Sequence, residues 1–155
     1  MQPVILDTDV ASLSHKRNLT GPLATRLIGR KPLITFVTFG ELTKWTEIRH
    51  WGTRSRQELA DWLSGIPILP GDEAVAATWG RLSAAGIQRG RPRPINDMWI
   101  AACALTYDLP LATLNLKDYG IGGLTKMMGM LKMHEEIVVH VDLVFGPAPG
   151  RQALH

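Results

Sequence analysis

The chain of 155 residues lacks several features that mark common protein classes. Its one cysteine, Cys103, lies in the apolar run 100–105, so the sequence offers neither a disulfide framework nor a cysteine-rich zinc site. No apolar stretch approaches the ~20 residues of a membrane-spanning helix, and no basic segment precedes an apolar run at the N-terminus. We therefore expect a cytoplasmic protein without a membrane span or a signal peptide.

Sequence motifs of several enzyme classes are missing as well. The histidines at positions 15, 50, 134, 140 and 155 show no His-x-x-x-His or Cys/His ligand spacing, which argues against a zinc enzyme. The chain contains no G-x-S-x-G nucleophile elbow, no P-loop and no G-x-G-x-x-G fingerprint. Serine hydrolases of the elbow type and the common nucleotide-binding folds are therefore poor candidates.

The bulk composition fits one globular domain. Hydrophobic residues make up 45% of the chain and charged residues 20%. A net charge of +3 permits a nucleic-acid partner without requiring one. We expect a single domain over residues 1–145. The segment 146–155 begins with two prolines and two glycines within five residues and is expected to be a loose C-terminal tail.

Short apolar runs alternate with segments of helical periodicity along the chain. The expected strands are 4–6, 33–37, 66–69, 109–114 and 137–141. The expected helices are 11–30 with a break at Gly21-Pro22, 38–49, 54–64, 72–88 and 96–107. Strands that are apolar throughout are typical of a parallel sheet covered on both faces. The sequence therefore predicts an α/β fold with three layers, α/β/α, around a mostly parallel sheet.

Acidic and amide side chains follow these strands. In an open α/β sheet, ligands bind beyond the carboxyl ends of the strands. The residues at those positions are Asp7 and Asp9 after the first strand, Glu41 after the second, Asp97 at the start of the helix 96–107, and Asn115 and Asp118 after the strand 109–114. The fold would therefore bring several carboxylates to one edge of the sheet.

Each of these residues also has a purely structural interpretation. Asp7 could cap the following helix, and Thr38-x-x-Glu41 has the spacing of a capping box. Asp97 could serve the dipole of its own helix. As a set, however, converging carboxylates repel one another, and a divalent cation relieves that repulsion. Mg²⁺ and Mn²⁺ prefer such oxygen ligands, so the set favours a metal site.

Four segments carry a family resemblance. They are ILDTD at 5–9, TFGEL at 38–42, INDMWIAA at 95–102 and LATLNLKDY at 111–119. In their order and spacing the chain resembles the PIN-domain nucleases, and within them the VapC-type toxins of bacterial toxin–antitoxin pairs. The resemblance implies a PIN-like fold and a homodimer that a cognate antitoxin inhibits. It also implies an endoribonuclease that uses Mg²⁺, for which Mn²⁺ can substitute, to cleave structured RNA such as tRNA or rRNA.

The resemblance also assigns roles to individual residues. Asp7, Glu41 and Asp97 match the acidic residues that hold the metal in this family. The fourth catalytic position is either Asn115, through its carbonyl oxygen, or Asp118, through a water molecule. Two hydroxyl residues, Thr8 and Thr113, match those that orient the site. The implied reaction is attack by metal-activated water on a phosphodiester, leaving a 3′-hydroxyl and a 5′-phosphate.

A basic loop precedes Asp97. Between Glu73 and Asp97 the chain has four arginines and no acid, and prolines stiffen the last part of this stretch. Three of these arginines, Arg89, Arg91 and Arg93, are candidates to bind RNA phosphates. An ordinary solvated loop is the equally weighted alternative.

Three other functions remain open on the sequence. A haloacid-dehalogenase-like phosphatase would use Asp7 as its nucleophile. It would want Thr or Val where the chain has Ala11, and it gives Glu41 no role. The other two are a housekeeping PIN nuclease without an antitoxin and a PIN module that binds RNA without cleaving it.

Overall fold

The computed structural model describes residues 2–88, 90, 94–114 and 137–140. The strands in these ranges are β1 (Pro3–Leu6), β2 (Lys31–Thr35), β3 (Ile68–Leu69), β4 (Pro110–Thr113) and β5 (Ile137–His140). The helices are α1 (Thr8–His15), α2 (Gly21–Leu27), α3 (Phe36–Ile48), α4 (Thr53–Ser64), α5 (Glu73–Gln88) and α6 (Ile95–Tyr107). None of these helices has the length and apolar character to cross a membrane.

The strands form one sheet in the order β3-β2-β1-β4-β5. The first four strands run parallel, and β5 pairs antiparallel with β4. Ile5 of the central strand is in register with Leu33 on one side and Leu111 on the other. The prediction of a mostly parallel α/β sheet is therefore confirmed.

Each face of the sheet has its own apolar core, because successive side chains of a strand point to opposite faces. Ile5, Leu33 and Leu111 belong to a cluster completed by residues of α5 and α6, including Val75 and Ile100. A second cluster is formed with residues of α1, α2, α3 and α4. Its strand residues, which neighbour those of the first cluster in the chain, are Val4, Leu6, Ile34 and Ala112. Helices thus cover both faces, and the three-layer prediction is correct.

Several element boundaries differ from the sequence prediction, and for two of them the structure shows the physical reason. The second strand ends at Thr35 rather than at 37, because the Thr35 side chain caps α3 by accepting a hydrogen bond from the Thr38 amide at 3.3 Å. The predicted helix 11–30 is two helices, interrupted at residues 16–20 rather than at Gly21-Pro22. Arg17 takes a left-handed conformation with φ 57°. Pro22 lies in the first turn of α2, where a backbone N–H has no hydrogen-bond partner within the helix, so its absence in proline costs no hydrogen bond.

The path of the chain through the sheet determines where a site can form. From the central β1, the chain adds β2 and β3 on one side, then crosses to β4 on the other side of β1. The strand order therefore reverses between the carboxyl ends of β1 and β4, and a crevice at such a reversal is where open α/β sheets bind ligands. The Asp7 amide extends the pairing of these strands by donating to the Ala112 carbonyl at 3.1 Å.

Candidate active site

Asp7 lies at this reversal and is held on both carboxylate oxygens. It is the N-cap of α1, and its Oδ1 accepts a hydrogen bond from the Val10 amide at 2.9 Å. Its Oδ2 accepts a hydrogen bond from Thr113 Oγ1, at the end of β4, at 2.5 Å. Asp7 and Thr113 are both buried. The capping role considered for Asp7 is therefore correct, but the second bond also fixes the same carboxylate to the end of β4.

Burial raises the pKa of Asp7 from 3.8 to about 6. The hydrogen bonds from Thr113 and Val10 lower this pKa, while the nearby carboxylates of Asp9 and Glu41 raise it further. An acid that is desolvated and surrounded by like charge is stabilised in its ionised form by a positive charge beside it. The electrostatics at Asp7 therefore favour a cation at this position.

Glu41 does not form the capping box that its spacing from Thr38 allowed. The N-cap of α3 is Thr35, so Glu41 lies further along the helix, beyond its first turn. Its Oε1 instead accepts a hydrogen bond from Thr8 Oγ1 at 2.6 Å, and Thr8 directly follows Asp7 in the chain. The capping-box interpretation is wrong, and Glu41 is turned toward the start of α1.

Asp97 lies in the first turn of α6 and is half-buried. The next residue, Met98, is buried in the same cluster as Val37 of α3, and α6 packs against α3. No side chain caps this helix at Pro94. The positive N-terminal end of the α6 dipole favours the negative charge of Asp97 at this position.

The structure brings together part of the predicted site. Asp7 and Glu41 meet around Thr8 and Thr113, both of which were predicted as orienting residues. Across residues 2–88, 90, 94–114 and 137–140, no three histidine, cysteine, aspartate or glutamate side chains form a group that could hold a metal ion. The contribution of Asp97 to a metal site therefore stays a prediction.

Several predicted residues lie outside the part of the chain that the structure describes. These are the two candidates for the fourth catalytic position, Asn115 and Asp118, and the three candidate RNA-binding residues, Arg89, Arg91 and Arg93. The predicted tail 146–155 lies outside it as well. These assignments stay predictions.

Sequence reasoning missed one polar residue of the site, Thr38. It was interpreted as a helix cap, but its hydroxyl lies 3.0 Å from Thr8 Oγ1, and the residue is fully buried. The signal available in the sequence was its spacing: Thr38 precedes Glu41 by three residues and so shares a helix face with it.

The donors around Asp7 suit a hard divalent cation. Carboxylate and hydroxyl oxygens lie at this position, and among the described residues the hydrogen-bond partners of Asp7, Thr8 and Glu41 include no imidazole or thiolate. Mg²⁺ and Mn²⁺ prefer oxygen ligands of this kind, and each carboxylate oxygen retains a lone pair beyond the one used in its hydrogen bond. The residues present therefore fit Mg²⁺ or Mn²⁺.

Comparisons with known proteins identify the family of this chain. The family model of the PIN domain matches residues 4–118. Ribonuclease VapC5 of Mycobacterium tuberculosis (strain ATCC 25618 / H37Rv) is 32% identical over 115 residues, which cover 70% of this chain and 80% of that protein. The chain therefore belongs to the PIN-domain family, in its VapC-type branch.

Solved structures agree with this assignment. The VapBC-5 member of the VapBC family of toxin–antitoxin systems from Mycobacterium tuberculosis superposes with a TM-score of 0.54 at 32% identity, covering 72% of this chain and 83% of that one. VapBC2 from Rickettsia felis, bound to a DNA fragment from its promoter, gives a TM-score of 0.66 at 19% identity, with coverage of 76% and 91%. The first supports the family and the second the fold, so the resemblance read from four short segments is confirmed.

Proposed function

We propose that this chain is a divalent-metal-dependent endoribonuclease and the toxin of a toxin–antitoxin pair. Its membership of the PIN-domain family and its 32% identity to a protein named as a ribonuclease support the nuclease activity. One solved relative is described as a member of the VapBC family of toxin–antitoxin systems and another as a toxin–antitoxin complex, which supports an antitoxin as the partner. Family membership also removes the phosphatase alternative.

The observation that carries the proposal is the pairing of Asp7 and Glu41 at the strand reversal. These residues lie 34 positions apart in the chain and converge through Thr8, which follows Asp7 directly and donates to Glu41 Oε1 at 2.6 Å. Two carboxylates that are close together and shielded from water repel each other, and Glu41 contributes to the raised pKa of Asp7. This repulsion lowers the stability of the fold unless a cation offsets it.

The residues of the chain then have separate roles. Asp7, Glu41 and Asp97 hold the cation, and Asn115 or Asp118 completes the site. Thr113 fixes the Asp7 carboxylate and Thr8 fixes that of Glu41. When bound, Mg²⁺ lowers the pKa of a water molecule and neutralises charge on the phosphate. In the overall hydrolysis, a water oxygen bonds to phosphorus and the bond to the 3′ oxygen breaks, leaving a 3′-hydroxyl and a 5′-phosphate.

The substrate in this proposal is structured RNA, either tRNA or rRNA. Arg89, Arg91 and Arg93 immediately precede the helix that carries Asp97, and guanidinium groups bind phosphates well. The protein acts in the cytoplasm as a homodimer, and the antitoxin blocks its site.

Cleavage-site mapping on total RNA tests the nuclease activity. With Mg²⁺, the purified protein should cut at defined positions and leave 3′-hydroxyl ends, and EDTA should abolish cutting. Asp97→Asn should reduce the rate at least about 100-fold, because the amide removes one anionic oxygen from the metal site. Cleavage by Asp97→Asn at the parental rate, in a preparation free of contaminating nuclease, would refute the site assignment. Binding of RNA without any cleavage would favour the non-cleaving module.

Induced expression in a bacterium tests the toxin role. The parent chain should arrest growth, and Asp7→Ala, produced to the same level, should not. Since Asp7 is one of the proposed metal ligands, its loss should abolish cleavage in the same cells. Normal growth with active parent protein would instead identify a housekeeping nuclease that has no antitoxin.

A further inference from the structure

A chain of hydroxyl groups lies behind the two carboxylates. Thr8 Oγ1 is 2.6 Å from Glu41 Oε1 and 3.0 Å from Thr38 Oγ1. Thr38 is fully buried and Thr8 is 7% exposed, so bulk water is a poor alternative partner for either hydroxyl. The two hydroxyls therefore depend on each other and on Glu41 for their hydrogen bonds.

The direction of these hydrogen bonds follows from the number of protons. A hydroxyl has one proton to donate, and an ionised carboxylate can only accept. Thr8 therefore uses its proton on Glu41 and must accept at its contact with Thr38. The order is Thr38 to Thr8 to Glu41, and a hydroxyl that accepts one bond becomes a stronger donor in the next.

Three other helical threonines of this protein behave differently from Thr38. Thr43 and Thr46 in the same helix, and Thr78 in α5, donate to the carbonyls of Phe39, Thr43 and Ala74 in their own helices. That back-bonding is the ordinary use of a threonine hydroxyl inside a helix. The recorded side-chain contact of the Thr38 hydroxyl instead crosses to the start of α1. Thr106 in α6 also reaches another helix, donating to Thr78 Oγ1 at 3.0 Å. The contact of Thr38 differs in that it continues through Thr8 to a carboxylate, that of Glu41.

We propose that Thr38 is a positioning residue of the active site. It orients the Thr8 hydroxyl and, through it, turns the Glu41 carboxylate toward the cation. This inference rests on the proposed metal-dependent function. Substitution of residues that hydrogen-bond to metal ligands commonly lowers metal affinity by about 10-fold to 100-fold, so the effect of losing the Thr38 hydroxyl should be measurable.

Titration of the full chain with Mn²⁺ alone, followed by calorimetry, tests the proposal. Thr38→Val keeps the side-chain shape and removes the donor, so the Kd for Mn²⁺ should rise about 10-fold. Thr38→Ser keeps a hydroxyl and should bind within about 2-fold of the parent. Thr46→Val is the matched control, because Thr46 is a buried threonine of the same helix whose hydroxyl donates to the Thr43 carbonyl. It should bind like the parent.

A double variant separates positioning from general loosening. If Thr38 acts through Thr8, then Thr8→Val should weaken Mn²⁺ binding at least as much as Thr38→Val. The combined variant should bind no more weakly than Thr8→Val alone, because the route to Glu41 is already cut. The carboxyl ¹³C shift of Glu41, measured in EDTA, should move in Thr38→Val and stay in place in Thr46→Val.

The outcomes that would overturn the proposal are distinct from failure of the proposed function. Equal Mn²⁺ binding by the parent and Thr38→Val refutes the positioning role alone. The positioning role is also refuted if Thr38→Ser binds Mn²⁺ as weakly as Thr38→Val, or if the losses of Mn²⁺ affinity in Thr8→Val and Thr38→Val add up in the double variant. Either result would assign the effect to packing. The positioning role is likewise refuted if Thr38→Val does not fold and Thr38→Ser folds but binds Mn²⁺ weakly. A parent chain that binds no Mn²⁺ refutes the metal site itself, and the positioning role with it.

Discussion

At the scale of single residues, Asp7 is where folding and the proposed chemistry conflict. Burial raises its pKa from 3.8 to about 6, so the folded chain binds a proton there more tightly than the unfolded chain does. Protonation therefore stabilises the fold as pH falls from about 6 toward 4, and ionisation destabilises it as pH rises through 6. By the usual conversion, the raised pKa corresponds to about 3 kcal/mol of stability lost at neutral pH without a cation.

Replacing Asp7 by a neutral isostere should remove part of this loss of stability. In EDTA at pH 7, we expect Asp7→Asn to raise the free energy of unfolding by about 1–2 kcal/mol. The gain is smaller than the full cost, because an amide nitrogen cannot accept the bond from Thr113 or Val10. Urea denaturation at pH 7 and at pH 4.5 measures the effect, and the gain should shrink at the lower pH.

The exposed Asp61 provides the control for that experiment. Asp61→Asn removes a carboxylate from the surface of α4 and should shift stability by about 0.5 kcal/mol or less at both pH values. A parent chain that is more stable than Asp7→Asn at pH 7, with no dependence on pH, would contradict the electrostatic account.

At the scale of elements, the sequence predicted positions better than boundaries. Runs such as Val4–Leu6 must be buried on both faces, and only strands inside a covered parallel sheet allow this, so the strands were correctly located. The predicted boundaries were wrong where one residue could belong to either of two elements. Thr35 is both the last residue of β2 and the cap of α3, and only the geometry of the turn decides between these uses.

The end of α6 gives a prediction at this scale. Asp108 terminates the helix in the left-handed region, with φ 52° and ψ 53°, and its amide donates back to the Leu105 carbonyl. Its side chain is exposed. Glycine takes this conformation without a steric cost, so Asp108→Gly should raise the free energy of unfolding by about 0.5–1 kcal/mol.

Replacing aspartate by glycine inside a helix should change the free energy of unfolding in the opposite direction. Asp61→Gly in α4 places glycine in a helix interior and should lower stability by about 0.5 kcal/mol. Guanidinium denaturation of both variants beside the parent measures the pair. If Asp108→Gly destabilises the protein as Asp61→Gly does, the left-handed turn is not the dominant local cost.

At the scale of the whole molecule, the site joins segments that are far apart in sequence. Asp7 and Thr113 are separated by 106 positions, yet a hydrogen bond connects them across the strand reversal. The sequence predicted that acids gather at this edge, because the edge follows from the order of strands. It could not predict the contacts among Thr38, Thr8 and Glu41, since these depend on how α1 and α3 are rotated against each other.

Because the site spans distant segments, cation binding should stabilise the entire fold. A ligand that binds only the folded state adds RT ln(1 + [L]/Kd), about 2.7 kcal/mol at a concentration 100-fold above Kd. Mg²⁺ should therefore raise the thermal midpoint of the parent progressively at pH 7, in sodium chloride adjusted to constant ionic strength. Asp7→Asn should show little or no rise, since the amide removes a buried carboxylate from the proposed metal site. An equal rise in both proteins would place the Mg²⁺ effect elsewhere on the surface, and the electrostatic cost at Asp7 would then have no functional explanation.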